Sequence, residues 1–240
     1  MVANGNCYIL ETKTSKLILD AGIHMKEVEK ALNFDFTDVV GCLITHEHQD
    51  HLKYFSDFLK KGINIYASEG TLQCTNVKHH RFKTVKAQQQ FNIVADFTIL
   101  PFKVQHDAID PLGFLIQYNP TGERLLYATD TYYLKYKFNK LNYSLIECNY
   151  NKLVAKHNST IKVIGKARYT RLLESHMSVD ALIKFLEMND LSNVKKIMLC
   201  HLSDTNADEK VMQNTIQSKF KIDTEIATNG KLIDLDIYPF

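Results

Sequence analysis

At 240 residues, 45% of them hydrophobic, the chain is long enough to bury a sizeable core, and a single domain over residues 1–240 is expected. A formal net charge of only +2 with no long run of one sign gives no nucleic-acid signature in bulk, so any such signature must come from local patches. Five scattered cysteines with no C-x-x-C pair argue against a secreted disulfide framework, and no signal-like or membrane-length apolar segment appears, so a soluble cytoplasmic protein away from membranes is expected.

Short apolar runs that end in polar or acidic residues predict strands at 7–10, 17–20, 39–45, 63–67 and 97–104. The series continues at 113–118, 125–130, 144–147 and 196–201 and closes at 224–226 and 231–237. Alternation is weak in several of them, as in strands buried on a sheet face. Helical spacing predicts helices over 25–32, 51–61, about 151–156, 178–189 and 208–220, with Ser178 and Asp208 as N-caps. Val179, Leu182, Ile183 and Leu186 share one side of the fourth and read as core packing. Cys42, Cys148 and Cys200 lie in or at the end of apolar runs, where a free thiol acts as a small hydrophobe. Strands broken by helices predict an α/β fold whose strands need two sheets with helices outside.

Between the strand at 39–45 and the helix at 51–61 stands Thr45-His46-Glu47-His48-Gln49-Asp50-His51. His46 and His48, two apart, can point the same way, while Asp50 and His51 open the helix and turn toward a neighbouring point. Two adjacent metal positions result. An exposed polar loop is the plain alternative, but three imidazoles and a carboxylate so close together call for a metal to offset their desolvation and charge. His106 and His201, taken singly, read as hydrogen-bonded core residues; their places after strand-like runs change that reading.

With these residues in view, H-x-H-x-D-H after a buried strand resembles the signature of the metallo-β-lactamase superfamily, and the order of motifs along nearly the whole chain agrees. Leu17-Ile-Leu-Asp20-Ala-Gly, Val104-Gln-His106-Asp, Leu126-Tyr-Ala-Thr-Asp130-Thr and Ile197-Met-Leu-Cys-His201-Leu-Ser look like its remaining motifs. The resemblance implies an αββα sandwich with two central mixed β-sheets flanked by helices. It implies that His46, His48 and His106 hold one divalent metal (Zn²⁺ or Mn²⁺), Asp50, His51 and His201 the other, and Asp130 both. Such metals lower the pKa of water toward neutrality and flank an in-line displacement, which suits phosphodiester hydrolysis. Asp20 reads as a supporting residue outside the ligand set.

His48 stands where diiron flavoproteins have an acid, and Asp130 and His51 stand where β-lactamases proper have a Cys and a non-ligand, so hydrolysis of another kind is expected. Asn4-Gly-Asn-Cys-Tyr-Ile-Leu, His106-Asp-Ala-Ile-Asp-Pro, Ser175-His176-Met-Ser and Cys200-His-Leu-Ser resemble the YycJ-type (WalJ-type) branch, relatives of RNase J and tRNase Z regarded as DNA exonucleases. Three features depart from that branch: a short or missing edge strand before Asn4, Ser175 where a Gly is usual, and Tyr150 where relatives have a His. Lys162, Lys166, Arg168 and Arg171 with Tyr169 lead into His176, and Lys78, His79, His80, Arg81, Lys83 and Lys86 form a second basic stretch; both read either as groove linings or as solvated loops. Asp50 and His176 are the expected catalytic residues, with His176 as proton donor, phosphate contact or cap of the next helix. Arg168, Arg171, His176 and Ser203 are the expected substrate contacts. The expected activity is a 5′ to 3′ DNA exonuclease of repair or recombination, with DNA before RNA as partner. A homodimer and a repair or recombination protein are further candidates, and the economy of length suits a phage or mobile-element version. Hydrolysis of a cyclic nucleotide or other small ester is the rival, and a metal-stabilised binding protein without turnover is the non-enzymatic one.

Overall fold

The computed structural model describes residues 5–235. The chain divides into two compact units, the first running up to Lys103 and taking in Ala108–Thr121, the second made of Val104–Asp107 and the chain from Gly122 onward.

In the first unit, β1 (Tyr8–Glu11) and β2 (Lys16–Leu19) form an antiparallel pair. The helix α1 (Met25–Ala31) then leads to β3 (Val39–Leu43), which pairs parallel with β2. Next come α2 (Gln49–Leu52), α3 (Phe55–Lys60) and β4 (Ile65–Ala67), then α4 (Glu69–Cys74) and β5 (Phe82–Thr84). The sheet order is β1-β2-β3-β4-β5, parallel from β2 onward because each return passes through a helix. Ile18, Val28, Cys42, Ile44, Phe58 and Ile65 make its core, a continuous apolar set of the kind helix-covered parallel strands require. Beyond it, β6 (Phe91–Ile93), β7 (Phe97–Lys103) and β8 (Leu112–Tyr118) form an antiparallel ladder that buries Phe97, Ile99, Phe114 and Ile116.

The second unit begins its strands with β9 (Glu123–Ala128) and β10 (Tyr143–Glu147). Three helices follow, α5 (Lys152–Thr160), α6 (Lys166–Ser175) and α7 (Val179–Glu187), before β11 (Lys196–Cys200), α8 (Glu209–Phe220) and β12 (Asp223–Ile226). All four strands pair parallel in the order β9-β10-β11-β12. Every residue of β10 and β11 is buried, so these runs carry no alternation. Parallel strands end on one side, and the turns after β9, β10 and β11 therefore gather there.

Several expectations shift. The single helix over 51–61 is two, starting at Gln49 and broken at Lys53–Tyr54, because the Tyr54 N–H leaves the helix to donate to the Ala21 carbonyl at 3.0 Å. The helix at 151–156 extends to Thr160, and α4, α6, β5 and β6 had no counterpart in the sequence reading. On α7 the buried face is Val179, Leu182, Phe185 and Leu186, with Ile183 only half-buried. Ser178 and Asp208 cap α7 and α8 as expected, accepting from the Ala181 and Val211 N–H groups. The strand at 231–237 is not present over 231–235, and its last two residues lie outside the described residues, as does Asn4. Cys42, Cys148 and Cys200 are buried free thiols. Among the described residues no helix is long and apolar enough to cross a membrane.

Candidate metal centre

The first unit assembles its polar cluster where β2 and β3 end. Asp20 follows β2 in the left-handed conformation, φ 63°, which carries its carboxylate back under the turn after β3. It is fully buried and accepts the Thr45 N–H at 2.8 Å, the Thr45 hydroxyl at 3.0 Å and His51 Nδ1–H at 2.8 Å. A His51 ring held on Nδ1 keeps Nε2 as its remaining ligating atom. That Nε2 lies 3.0 Å from Asn6 Nδ2 and 3.4 Å from Asp50 Oδ2. The His46 ring sits with its centroid 4.7 Å from His48 and 4.3 Å from His51. Glu47, between His46 and His48 in sequence, turns away and accepts the Ile109 N–H at 2.8 Å, which explains why, of the two acids in the motif, only Asp50 is a candidate ligand.

Close backbone approach sets this cluster. The Asn6 N–H donates to the Asp50 carbonyl at 2.6 Å, Gly22 N–H to Asn6 O at 2.9 Å and Ala21 N–H to His51 O at 2.7 Å. A Cβ on Gly22 would lie 1.8 Å from the Asp50 carbonyl oxygen, so only glycine fits there.

The second unit assembles its own cluster at the ends of β9, β10 and β11. Asp130 and His201, like Asp20, leave their strands in the left-handed conformation, φ 50° and 54°. Asp130 Oδ1 lies 3.7 Å from His106 Nε2 and 3.5 Å from His201 Nε2. His106 Nδ1–H donates to the Ser175 carbonyl at 2.9 Å, and burial lowers its pKa below the usual imidazole range, which favours the neutral ring that binds metal. Beneath them lies Glu147, the last residue of β10 and fully buried. It accepts His176 Nδ1–H at 2.7 Å, His201 Nδ1–H at 3.1 Å, and the Thr131 and Met177 N–H groups at 2.8 and 3.1 Å. Burial works to raise its carboxyl and to lower His176, but their charge attraction and hydrogen bond win, leaving Glu147 below and His176 above the ordinary value.

Ligand atoms of Asp130, Glu147, His176 and His201 all lie within 4.8 Å of one another. Imidazole nitrogens and carboxylate oxygens, oriented from behind by Asp20 and Glu147, form a donor set that fits a borderline divalent cation. His46, His48, Asp50 and His51 thus stand together in the first unit, and His106, Asp130 and His201 in the second.

The expected substrate contacts are more dispersed. His176 joins the second cluster and does not cap α7, a task Ser178 performs. Arg171 donates Nε–H to Asp107 at 2.8 Å, beside His106, while Arg168 is exposed. The Ser203 hydroxyl accepts the Asn206 N–H at 3.3 Å within its own loop. Tyr150 is buried, which pushes its hydroxyl up to about 12. In the 78–86 stretch the His79 and His80 rings stack 4.5 Å apart ahead of β5. Glu147 escaped the sequence reading because it ends an apolar strand as many acids do; an acid followed by Cys148-Asn149 at the close of a largely apolar run was the available signal.

Residues 16–202 match a family model described as "Beta-lactamase superfamily domain". The chain is 28% identical to the "Exodeoxyribonuclease YycJ" of Bacillus anthracis, covering 90% of this chain and 85% of that protein. It is also 28% identical to the "Exodeoxyribonuclease WalJ" of Streptococcus pneumoniae, covering 97% and 90%. Among solved structures, the Zn²⁺-bound PqqB of Methylobacterium extorquens superposes with a TM-score of 0.67 at 13% identity, over 94% of this chain and 86% of that one.

Proposed function

The chain belongs to the beta-lactamase superfamily, with its α/β fold of two mixed sheets flanked by helices, and is a metal-dependent hydrolase; from that premise we propose a two-metal phosphodiesterase that degrades nucleic acid, a DNA exonuclease working 5′ to 3′. The observation that carries this reading is the likeness to two proteins named exodeoxyribonucleases along nine-tenths or more of the chain, well beyond the ligand motifs.

His46, His48 and His106 are the proposed ligands of one ion, Asp50, His51 and His201 of the other, and Asp130 of both, the ions being zinc or manganese. When bound, they supply a water of near-neutral pKa and charge to stabilise an in-line displacement. The rest falls to the chain. Asp20 fixes His51 by Nδ1, and Glu147 fixes His201 and His176 in the same way, so the Nε2 atoms stay oriented without reorganisation. His176, with a raised pKa, holds a proton for the leaving oxygen. Arg171, Arg168 and Ser203 are the proposed phosphate contacts. In this reading the two units act as one hydrolase domain over residues 1–240, cytoplasmic and engaged in repair or recombination.

The test is linear DNA labelled at either end, RNA of the same sequence and a panel of cyclic nucleotides, each with Mn²⁺ or Zn²⁺ and with chelator. Metal-dependent shortening of DNA from its 5′ end is expected, with His48→Ala and Asp130→Ala losing both bound metal and activity. Intact DNA and RNA beside a cleaved small ester would overturn the nuclease reading; activity retained in both variants would overturn the ligand assignment.

A further inference from the structure

We propose that the cavity between α5 and α6 is a second phosphate site, holding the backbone of a nucleic-acid strand several nucleotides from the bond being cut. The proposal rests on the nucleic-acid reading above and adds where a polymer, as opposed to a small ester, is gripped.

The cavity has a volume of about 600 Å³ and is lined by Lys156, Ser159 and Thr160 from the end of α5, by Lys162 in the turn, and by Lys166 and Tyr169 of α6. No carboxylate lines it. Among the described residues none of its three ammonium groups forms an ion pair, whereas Lys195 and Lys196 of the same unit sit 2.7 Å from Glu123 and Glu225. Three like charges around one hollow repel one another, and an anion placed there relieves that repulsion. Helix α6 opens at the same place on Gly165, with no side-chain cap and no acidic residue in its first turn. Its first N–H groups add to the positive field. The Tyr169 ring and the apolar lysine stems offer a face on which a base can stack.

Both walls of the cavity are fixed to the cluster at the strand ends. At its far end α6 carries the Ser175 carbonyl that accepts from His106, and then His176, which pairs with Glu147. From α5, Asn158 Nδ2–H donates to the Thr205 carbonyl at 2.7 Å and to Asn206 Oδ1 at 3.0 Å, in the loop that follows His201. The ten residues of α6 span roughly 15 Å at 1.5 Å per residue. One strand advances about 3.4 Å per nucleotide, so this span equals roughly four nucleotides. A small diester cut at the cluster does not extend to the cavity, and a longer strand does.

The experiment compares metal-loaded wild type with a Lys156→Gln/Lys162→Gln/Lys166→Gln protein. A control protein loses the same charge elsewhere, at the exposed Lys26, Lys137 and Lys210. Two quantities are read: turnover of bis(p-nitrophenyl) phosphate, and binding of a phosphorothioate-linked strand of about a dozen nucleotides across a salt series. The cavity variant is expected to turn over the small diester like wild type while binding the strand roughly tenfold more weakly, and to lose about 0.7 from the log–log salt slope for each phosphate contact removed. The control is expected to bind within about twofold of wild type. If the cavity variant binds the strand with wild-type affinity and salt slope, the cavity proposal is overturned and the nucleic-acid reading stands. If wild type itself binds no strand while cutting the small diester, both are overturned.

Discussion

Glu147 shows how much of the centre rests on one side chain that need not touch a reacting atom. It fixes the Nδ1 positions of both His176 and His201 while accepting two backbone N–H groups. Glu147→Gln keeps the volume and loses the charge; because both imidazoles share Oε1 and both N–H groups share Oε2, the new amide nitrogen faces one pair of donors or the other. We expect metal affinity or turnover to fall about 10–100-fold with the far-ultraviolet circular dichroism unchanged, checked by metal analysis and steady-state kinetics. An unchanged metal content and rate would show that the histidines need no such support. Gly22 makes the opposite kind of demand, since an added Cβ would run into the backbone of both Asp50 and Asn6. Gly22→Ala is expected to destabilise the protein by about 1–3 kcal/mol or more, read as a lowered urea midpoint, and to weaken metal binding because Asp50 must shift. At this scale the sequence was most legible where chemistry is dense. His46, His48, Asp50 and His51 announce themselves by crowding, and Asp130 and His201 by ending apolar runs. Glu147 also ends an apolar run, but an acid there is common and no crowding of histidines and acids stands beside it in sequence; its importance comes from what packs against it.

At the scale of elements, apolar runs located β2, β3, β7, β8, β9, β10 and β11 well, because each carries a short stretch dominated by aliphatic and aromatic residues. Helix α6 was illegible for the converse reason. Lys166-Ala-Arg-Tyr-Thr-Arg-Leu-Leu-Glu-Ser175 is so basic that charge hid its thin apolar stripe, and only Ser175 is fully buried. The break between α2 and α3 was equally hidden, since it depends on a hydrogen bond to Ala21 that no local pattern records. One element-level contact has a definite pH signature. Lys196 on β11 lies 2.7 Å from Glu225 and 3.1 Å from Asp223 on β12, and Lys231 lies 2.9 Å from Glu225. Hydrogen bonds from Lys196 and then Lys231 hold Glu225 below the usual carboxylate range. Burial pulls Lys196 down, but its bonds to Glu225 and Asp223 outweigh this and raise it. Glu225 therefore contributes stability above an unfolded pKa of about 4.3, lost as pH falls through its lower folded value. Lys196 contributes below about 10.4, lost as pH rises through its higher folded value. Lys196→Met is expected to cost about 1 kcal/mol at neutral pH and progressively less in acid below the folded Glu225 value, measured by urea unfolding across pH. A cost independent of pH would assign the effect to packing alone.

At the scale of the whole molecule, the order of motifs was readable from end to end, which is why the fold class was secure before any coordinate. Short edge pieces such as β5 and β6 were not, because three residues carry too little pattern to stand out from a loop. If metals bind the folded chain and not the unfolded one, they stabilise it by mass action, about 2.7 kcal/mol at a hundredfold excess over Kd. For a chain of this size, chelation should then lower Tm by roughly 5–10 °C, reversibly on adding back zinc or manganese. No change in Tm would argue against a resident metal. Finally, Asp20, Asp130 and His201 all leave their strands at φ between 50° and 63°, a conformation glycine adopts without penalty and other residues only at a cost. At Asp130 and His201 glycine would relax the backbone while removing the side chain, whereas at Asp20 it would also leave the buried Thr45 and His51 donors without their acceptor. A duplicated copy of such a gene therefore has two changes open to it, at the ends of β9 and β11, that empty the second cluster at least cost to the fold.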